Sequence, residues 1–169
     1  MLAKVVETSI FSIADDQLIP SRYDYARGGM GKSKQAFITF NYADKSLQHE
    51  DGTSGLVEGT LDKLSYQYQL KLDLANMALS ERSSGTLEYT VADGDKLRHY
   101  GFRVASEEVL TTPAGELLTV KLERIREHDS DPQTTFWLAK DHDYLLTKFK
   151  QQGSGKGFEL SLESFTFNE

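Results

Sequence analysis

Cysteine is absent from this chain of 169 residues, which excludes disulfides and thiolate metal sites and removes the usual clue to redox compartment. Basic residues are outnumbered, 19 Lys and Arg against 26 Asp and Glu, for a formal net charge of -7. A phosphate backbone is therefore an unfavourable partner, because sequence-independent nucleic-acid binding needs clustered Lys and Arg, and anionic membrane surfaces are disfavoured for the same reason. No apolar run approaches the roughly 18 residues of a spanning helix. Residues 1–10 lack the charged start and apolar block of a signal peptide, so the chain as written is expected to be soluble. No linker and no repeat of fixed period divides it. Its length suits one domain, 1–169, large enough to bury a core unaided.

What the sequence has in quantity is apolar runs cut by polar turns, at 117–125, 135–140, 144–149 and 158–167, the rhythm of an antiparallel sheet. Asp93-Gly94 joins Leu87, Tyr89 and Val91 to Tyr100, Phe102 and Val104 as a hairpin, and 113–115 and 141–143 supply further turns. A two-residue turn is expected at Asp44-Lys45, after a strand carrying Ile38, Phe40 and Tyr42. Ile19, Tyr23 and Tyr25 read as one face of an earlier strand. Val5, Phe11 and Ile13 alternate with Val6, Thr8 and Ile10, and apolar residues on both faces predict a strand covered on each side. In the last strand Phe165 and Phe167 fall out of phase with Phe158, Leu160 and Leu162, which predicts a bulge near Glu163 and Ser164.

After the Gly-rich connection at 51–59, residues 61–77 carry two competing periods. Leu64, Tyr66, Tyr68, Leu70, Leu72 and Leu74 alternate like a strand. On a helix, Leu61, Leu64, Tyr68, Leu72 and Ala75 form one stripe, and Tyr66, Leu70, Leu74 and Met77 form another opposite it. Leu, Gln, Lys, Ala and Met favour helix, β-branched residues are missing, and Thr60 is placed to cap. The helix is preferred. Two apolar stripes need partners on both sides, which a sheet curling round the helix would supply.

Chemistry-bearing patterns are sparse. Ala26 to Ser33, with Gly28, Gly29, Gly31 and Lys32, fits a relaxed phosphate-loop pattern, but a strand follows where an anion would need a helix N-terminus, so a hairpin loop is expected. His128, Asp129 and Asp131, and Asp141, His142 and Asp143, would make a metal site only if their loops met; turn initiation explains them more simply. Glu107, Glu108, Glu116 and Glu123 are spread along strands, and no nucleophile elbow surrounds a serine. No catalytic residue, metal or cofactor is assigned. Aromatics are the better signal: Tyr66, Tyr68, Tyr89, Tyr100, Phe102, Phe136 and Trp137 fall on predicted inward faces or on the helix. Most are expected to be core. A half-closed sheet around one helix also leaves an apolar cleft at its mouth, and Tyr66, Tyr68, Tyr89, Tyr100, Phe102 and Trp137 are the candidate ligand-binding residues there.

The run from Thr111-Thr112-Pro113-Ala114-Gly115 through Leu122-Glu123-Arg124, then Thr134-Thr135-Phe136-Trp137-Leu138-Ala139 and Asp143-Tyr144-Leu145-Leu146, resembles the bacterial family catalogued as domain of unknown function 3108. Ser21-Arg22-Tyr23 and Leu61-Asp62-Lys63-Leu64-Ser65-Tyr66 are similar to its earlier blocks, so the resemblance spans nearly the whole chain. It implies a Gram-negative envelope or periplasmic protein, a signal peptide and one or two strands ahead of Met1, a sheet edge left open without them, and helix for 61–77. It brings no catalytic residues, and its curved sheet is similar to periplasmic carriers of lipidated proteins.

The expected architecture is mainly β (α+β): a curved antiparallel sheet or half-barrel of about nine strands wrapped around one helix at 61–77. The expected function is a non-catalytic periplasmic module for an apolar or lipid-like ligand or an envelope partner. The alternatives are an assembly protein that uses an open sheet edge, including for self-association, and an envelope hydrolase.

Overall fold

The computed structural model describes residues 4–29, 33–77, 85–126, 132–153 and 157–166. Among them are β1 (Lys4–Ala14), β2 (Gln17–Gly28), β3 (Lys34–Asn41), β4 (Ser46–His49), β5 (Gly52–Gly55), α1 (Ser65–Asn76), β6 (Thr86–Asp93), β7 (Lys96–Thr112), β8 (Gly115–Ile125), β9 (Gln133–Ala139), β10 (Leu145–Gln152) and β11 (Phe158–Ser161). The protein is mainly β, in two antiparallel sheets that do not close into a barrel. One runs β1-β2-β3-β4-β5 and the other β11-β10-β9-β8-β7-β6. Eleven strands stand where about nine were expected, partly because the Gly-rich connection itself contributes β5. The chain forms two compact units, Met1–Leu72 with Tyr89–Tyr100, and Asp73–Glu88 with Gly101–Glu169.

In the first unit, Tyr23, Ile38, Phe40, Leu47 and Ala92 make a buried cluster, with Tyr25, Leu56, Leu64 and Leu97 packed against it. Register explains the set: Tyr23 faces Ile38 across β2 and β3, and Phe40 faces Leu47 across β3 and β4. On β2 the expected face is corrected at its start. Ile10 pairs with Arg22 but Phe11 with Pro20, so Ser21 bulges and the alternation slips by one. Leu18 and Pro20 are consequently buried, while Ile19 is exposed. The expected two-residue turn is in fact Tyr42 to Lys45, with Asn41 facing Ser46. The Asn41 side chain accepts from the Asp44 N–H and donates to its carboxylate, and Lys45 takes φ 50°.

A larger correction concerns β1. Its apolar residues on two faces predicted a doubly covered strand, yet β1 is an edge strand: Val5, Val6, Ile10 and Ile13 are 51, 48, 54 and 58% exposed. The alternation reports only that each face carries apolar residues. It cannot say whether anything covers them.

The segment 61–77 is helical from Ser65 to Asn76, so α1 begins later than expected. Leu61 is held out of it by a parallel bridge to Val91, with Leu61 N–H on Thr90 O and Ala92 N–H on Leu61 O. Asp62, not Thr60, is the cap: its Oδ1 accepts the Leu64 and Ser65 N–H groups, and its own N–H donates to Ser65 Oγ.

In the second unit Phe102, Val120, Leu122, Leu138 and Ala139 are nearly or wholly buried. Burying a side chain the size of Phe102 contributes about 1.5–3 kcal/mol. The β6–β7 hairpin turns at Gly94, with φ 65°, as the Asp93-Gly94 signal predicted. Gly115, with φ 114°, completes the turn into β8, where Thr112 Oγ1 donates to Gly115 O. The final strand is shorter than expected. β11 ends at Ser161, so the phase change beyond it reflects the end of the ladder and not a bulge; Phe167 lies outside the described residues.

Candidate functional site

Three of the six candidate aromatics come together. In the first unit the Tyr66 ring lies 6.3 Å from Tyr89 and meets Tyr100 edge-on at 5.2 Å. Tyr89 is buried, while Tyr66 and Tyr100 are partly open. Tyr68 is apart from them. Two helical positions separate it from Tyr66 by about 200°, so it leaves the cluster, is 54% exposed and rests on Phe11 of β1 at 5.6 Å. Its expected inward role is thus corrected. Leu70, Leu74, Ser65 and Gln69 are buried on α1, so the stripe containing Leu70 and Leu74 meets the interior while Tyr68 and Ala75 stay exposed.

The other two candidates belong to the second unit and to opposite faces of one sheet. Phe102 begins a row of rings, Phe102–Phe136 at 5.7 Å, Phe136–Phe149 at 5.1 Å and Phe149–Phe158 at 5.9 Å, that runs from a buried ring to one 52% exposed on β11. Trp137 follows Phe136 on β9 and points the other way. There its Nε1–H donates to Glu108 at 2.6 Å, and Lys121 and Lys148 set their ammonium groups 5.6 and 5.4 Å from its ring. Register produces this: Lys121, Trp137 and Lys148 face one another across β8, β9 and β10. Trp137 is buried by charged neighbours, so it does not line a cleft with Phe102.

Three of the four considered acids have structural partners, and Glu116 is exposed. Glu107 pairs with Lys140 at 3.0 Å, Glu123 with Arg103 at 2.7 Å, and Glu108 with Trp137. Asp93 joins Lys63 and Arg98, each at 3.1 Å. Burial pushes the Asp93 carboxyl up, but the hydrogen bonds and charges of Lys63 and Arg98 outweigh it and hold the carboxyl below its usual range. Tyr23 donates to Glu7 at 2.7 Å, and burial together with that carboxylate raises the phenol well above its usual value. Asp141 and Asp143 are exposed, and His142 lies against Phe165 at 4.8 Å; His128, Asp129 and Asp131 fall outside the described residues. Among the described residues no group of three His, Asp or Glu is placed to hold a metal. Of the glycine loop, Gly28 ends β2, Gly29 takes φ 89° and Lys34 starts β3, so a strand follows it; Met30, Gly31 and Lys32 are outside the described residues.

Among the described residues β1 carries four exposed large apolar side chains, Val5, Val6, Ile10 and Ile13. Among the described residues it has one neighbour, β2. Its inner face is tied down: Ser9 Oγ donates to Asp62 at 2.6 Å, and Glu7 accepts from Tyr23. Its outer face carries Val6, Thr8 and Ile10. A surface groove of about 470 Å³ runs beside the first two, lined by Val6, Thr8, Arg22, Asp24 and Phe37 among others. Arg22 bridges Asp24 at 2.6 Å and lies 5.4 Å from the Phe37 ring. None of the six candidate aromatics lines this groove.

A family model described as protein of unknown function (DUF3108) matches residues 1–161. The chain belongs to the DUF3108 family. The Thr-Pro-x-Gly turn and the Trp-Leu-Ala block that carried the resemblance sit in the β7–β8 turn and in β9. Neither the curated proteins nor the solved structures contain a match to the chain. Among the described residues no helix is long and apolar enough to cross a membrane.

Proposed function

We propose that this DUF3108 member is a non-catalytic interaction module that receives an extended polypeptide segment on the edge of β1 that is unpaired among the described residues. One observation carries the reading. β1 is a long strand, ends its sheet, and leaves Val5, Val6, Ile10 and Ile13 about half exposed. An edge of that length presents unpaired N–H and C=O groups, and the usual defences are few: no proline, no bulge on β1 itself, and only Lys4 and Glu7 charged. Strand addition satisfies the backbone, and the groove beside Val6 and Thr8 supplies side-chain selectivity.

A second reading, favoured by the Tyr66, Tyr89 and Tyr100 cluster, is a carrier for an apolar or lipid-like ligand. Tyr66 and Tyr100 are partly open, as a ligand contact would require. A periplasmic or envelope setting belongs to both readings and rests on the family resemblance.

Native mass spectrometry of gently purified protein, with hydrogen exchange at β1, separates them. A bound polypeptide that protects the β1 amides and is lost from the Val6→Lys/Ile10→Lys variant supports strand addition. A bound lipid retained by that variant and lost on Tyr66→Ser supports the carrier. A bare monomer that also fails to bind anilinonaphthalene sulfonate rejects both.

A further inference from the structure

Independently of what β1 receives, we infer that the loop end of the β2–β3 ladder is a binding site for a phosphate group, taken between Arg27 and Lys34. These two residues face each other in the last pair of that ladder, so their side chains leave the same side of the sheet beside the loop that joins the strands. β2 and β3 each have a neighbouring strand on both sides, so the pair uses no sheet edge.

Like charges set directly opposite across a sheet repel, and a nearby carboxylate is the usual remedy. None is supplied, although acids outnumber bases 26 to 19. Among the described residues neither Arg27 nor Lys34 forms an ion pair: Asp24 is taken by Arg22, and Glu7 by the Tyr23 hydroxyl. A third cation, Lys4, joins them along a groove of about 750 Å³ that Gly28, Ser33 and Glu50 also line. Arg27 and Lys34 are exposed, Gly28 leaves open space where a Cβ would stand, and Gly29 beside it takes φ 89°, so an anion can approach main chain as well as side chains. Three cations against one carboxylate select an oxyanion of more than one charge. Arg27 offers the planar fork that pairs with two phosphate oxygens, and Lys34 acts as a point charge. Val6, Ala26 and Gln35 line both this groove and the one beside Phe37, which gives room for the alcohol of a phosphate monoester. The formal charge of -7 repels anions at long range, so the site takes a small ester at contact distance and not a polyanion.

At low salt, an amide NMR titration with inorganic phosphate is expected to shift Gly28, Gly29 and Ser33 with a Kd on the order of 1 mM, and Arg27→Gln and Lys34→Gln should each weaken binding roughly tenfold. Glu50→Gln should tighten it, Lys34→Arg should retain it, and Lys96→Gln, at an exposed lysine that starts β7, should leave it unchanged. Without ligand, Lys34→Gln should melt no lower than the wild type, because it removes one of two facing like charges; this separates lost binding from lost folding. Two esters then identify the source of the phosphate. A short-chain, monomeric lysophosphatidate that binds several-fold tighter than glycerol phosphate, with the gain lost on Phe37→Ser, assigns it to a lipid headgroup; equal affinities assign it to a soluble ester, and both outcomes support the site. No saturable shift by about 10 mM phosphate, the same shifts with chloride at equal ionic strength, or wild-type affinity in Arg27→Gln and Lys34→Gln overturns it. Melting of Lys34→Gln below the wild type also overturns it, because Lys34 is then a structural residue.

Discussion

Asp62 has no solvent exposure, and its role shows how one side chain joins three levels of structure. It caps α1 through Leu64 and Ser65, and its other carboxylate oxygen accepts from Ser9 on β1. Asp62→Ala is expected to cost at least the ~1–2 kcal/mol of a lost cap, read from urea unfolding, with Asp62→Asn costing less. His49 makes the opposite case. It is buried, and neither ring nitrogen has a hydrogen-bond partner. Since an unsatisfied buried polar group costs on the order of 1–3 kcal/mol, His49→Leu is expected to raise the urea midpoint. Asp93 gives a pH dependence. Its carboxyl is held below the usual range in the fold, so its contribution is present above the unfolded value near pH 4 and is lost as pH falls through the folded value. The difference in stability between the wild type and Asp93→Asn should therefore be on the order of 0.5–1 kcal/mol at pH 7 and vanish toward pH 2. The pairing of Asp93 with Lys63 could not be read in sequence, because it depends on Leu61 bridging Val91 and so bringing the helix start beside the hairpin.

At the scale of elements, turns and strands were legible and coverage was not. The Asp93-Gly94 hairpin, the 113–115 turn and the strands at 117–125 and 135–140 stand close to where alternation and turn chemistry put them. The helix was legible once propensity outweighed a period-two pattern that Leu64 to Leu74 satisfy equally well. Its first residue was not, because Leu61 is captured by Val91. The Ser21 bulge was likewise invisible, since one unpaired residue leaves no mark in a polar–apolar string. Trp137 and Phe136 illustrate a different failure. Adjacent residues on a strand face opposite ways, so Phe102 and Trp137 share no cleft once the β7–β9 register is known. The row of phenylalanines is a sharper target: Phe102→Ala should destabilise by about 3–5 kcal/mol, whereas Phe158→Ala, at the exposed end, should cost far less in the same unfolding assay.

For the whole molecule, stability should divide along the sheets. Amides of β8 and β9 are paired on both sides and should exchange slowest, while β1 should exchange early. The sequence by itself determined a mainly β chain with one helix and no thiol chemistry, because composition, alternation and turn residues are local properties. It also placed the chain in its family. Only the tertiary structure decided that the strands form two sheets, that three tyrosines gather while Tyr68, Phe102 and Trp137 go elsewhere, and that β1 lies at an edge, because register, bulges and coverage arise from contacts between distant segments.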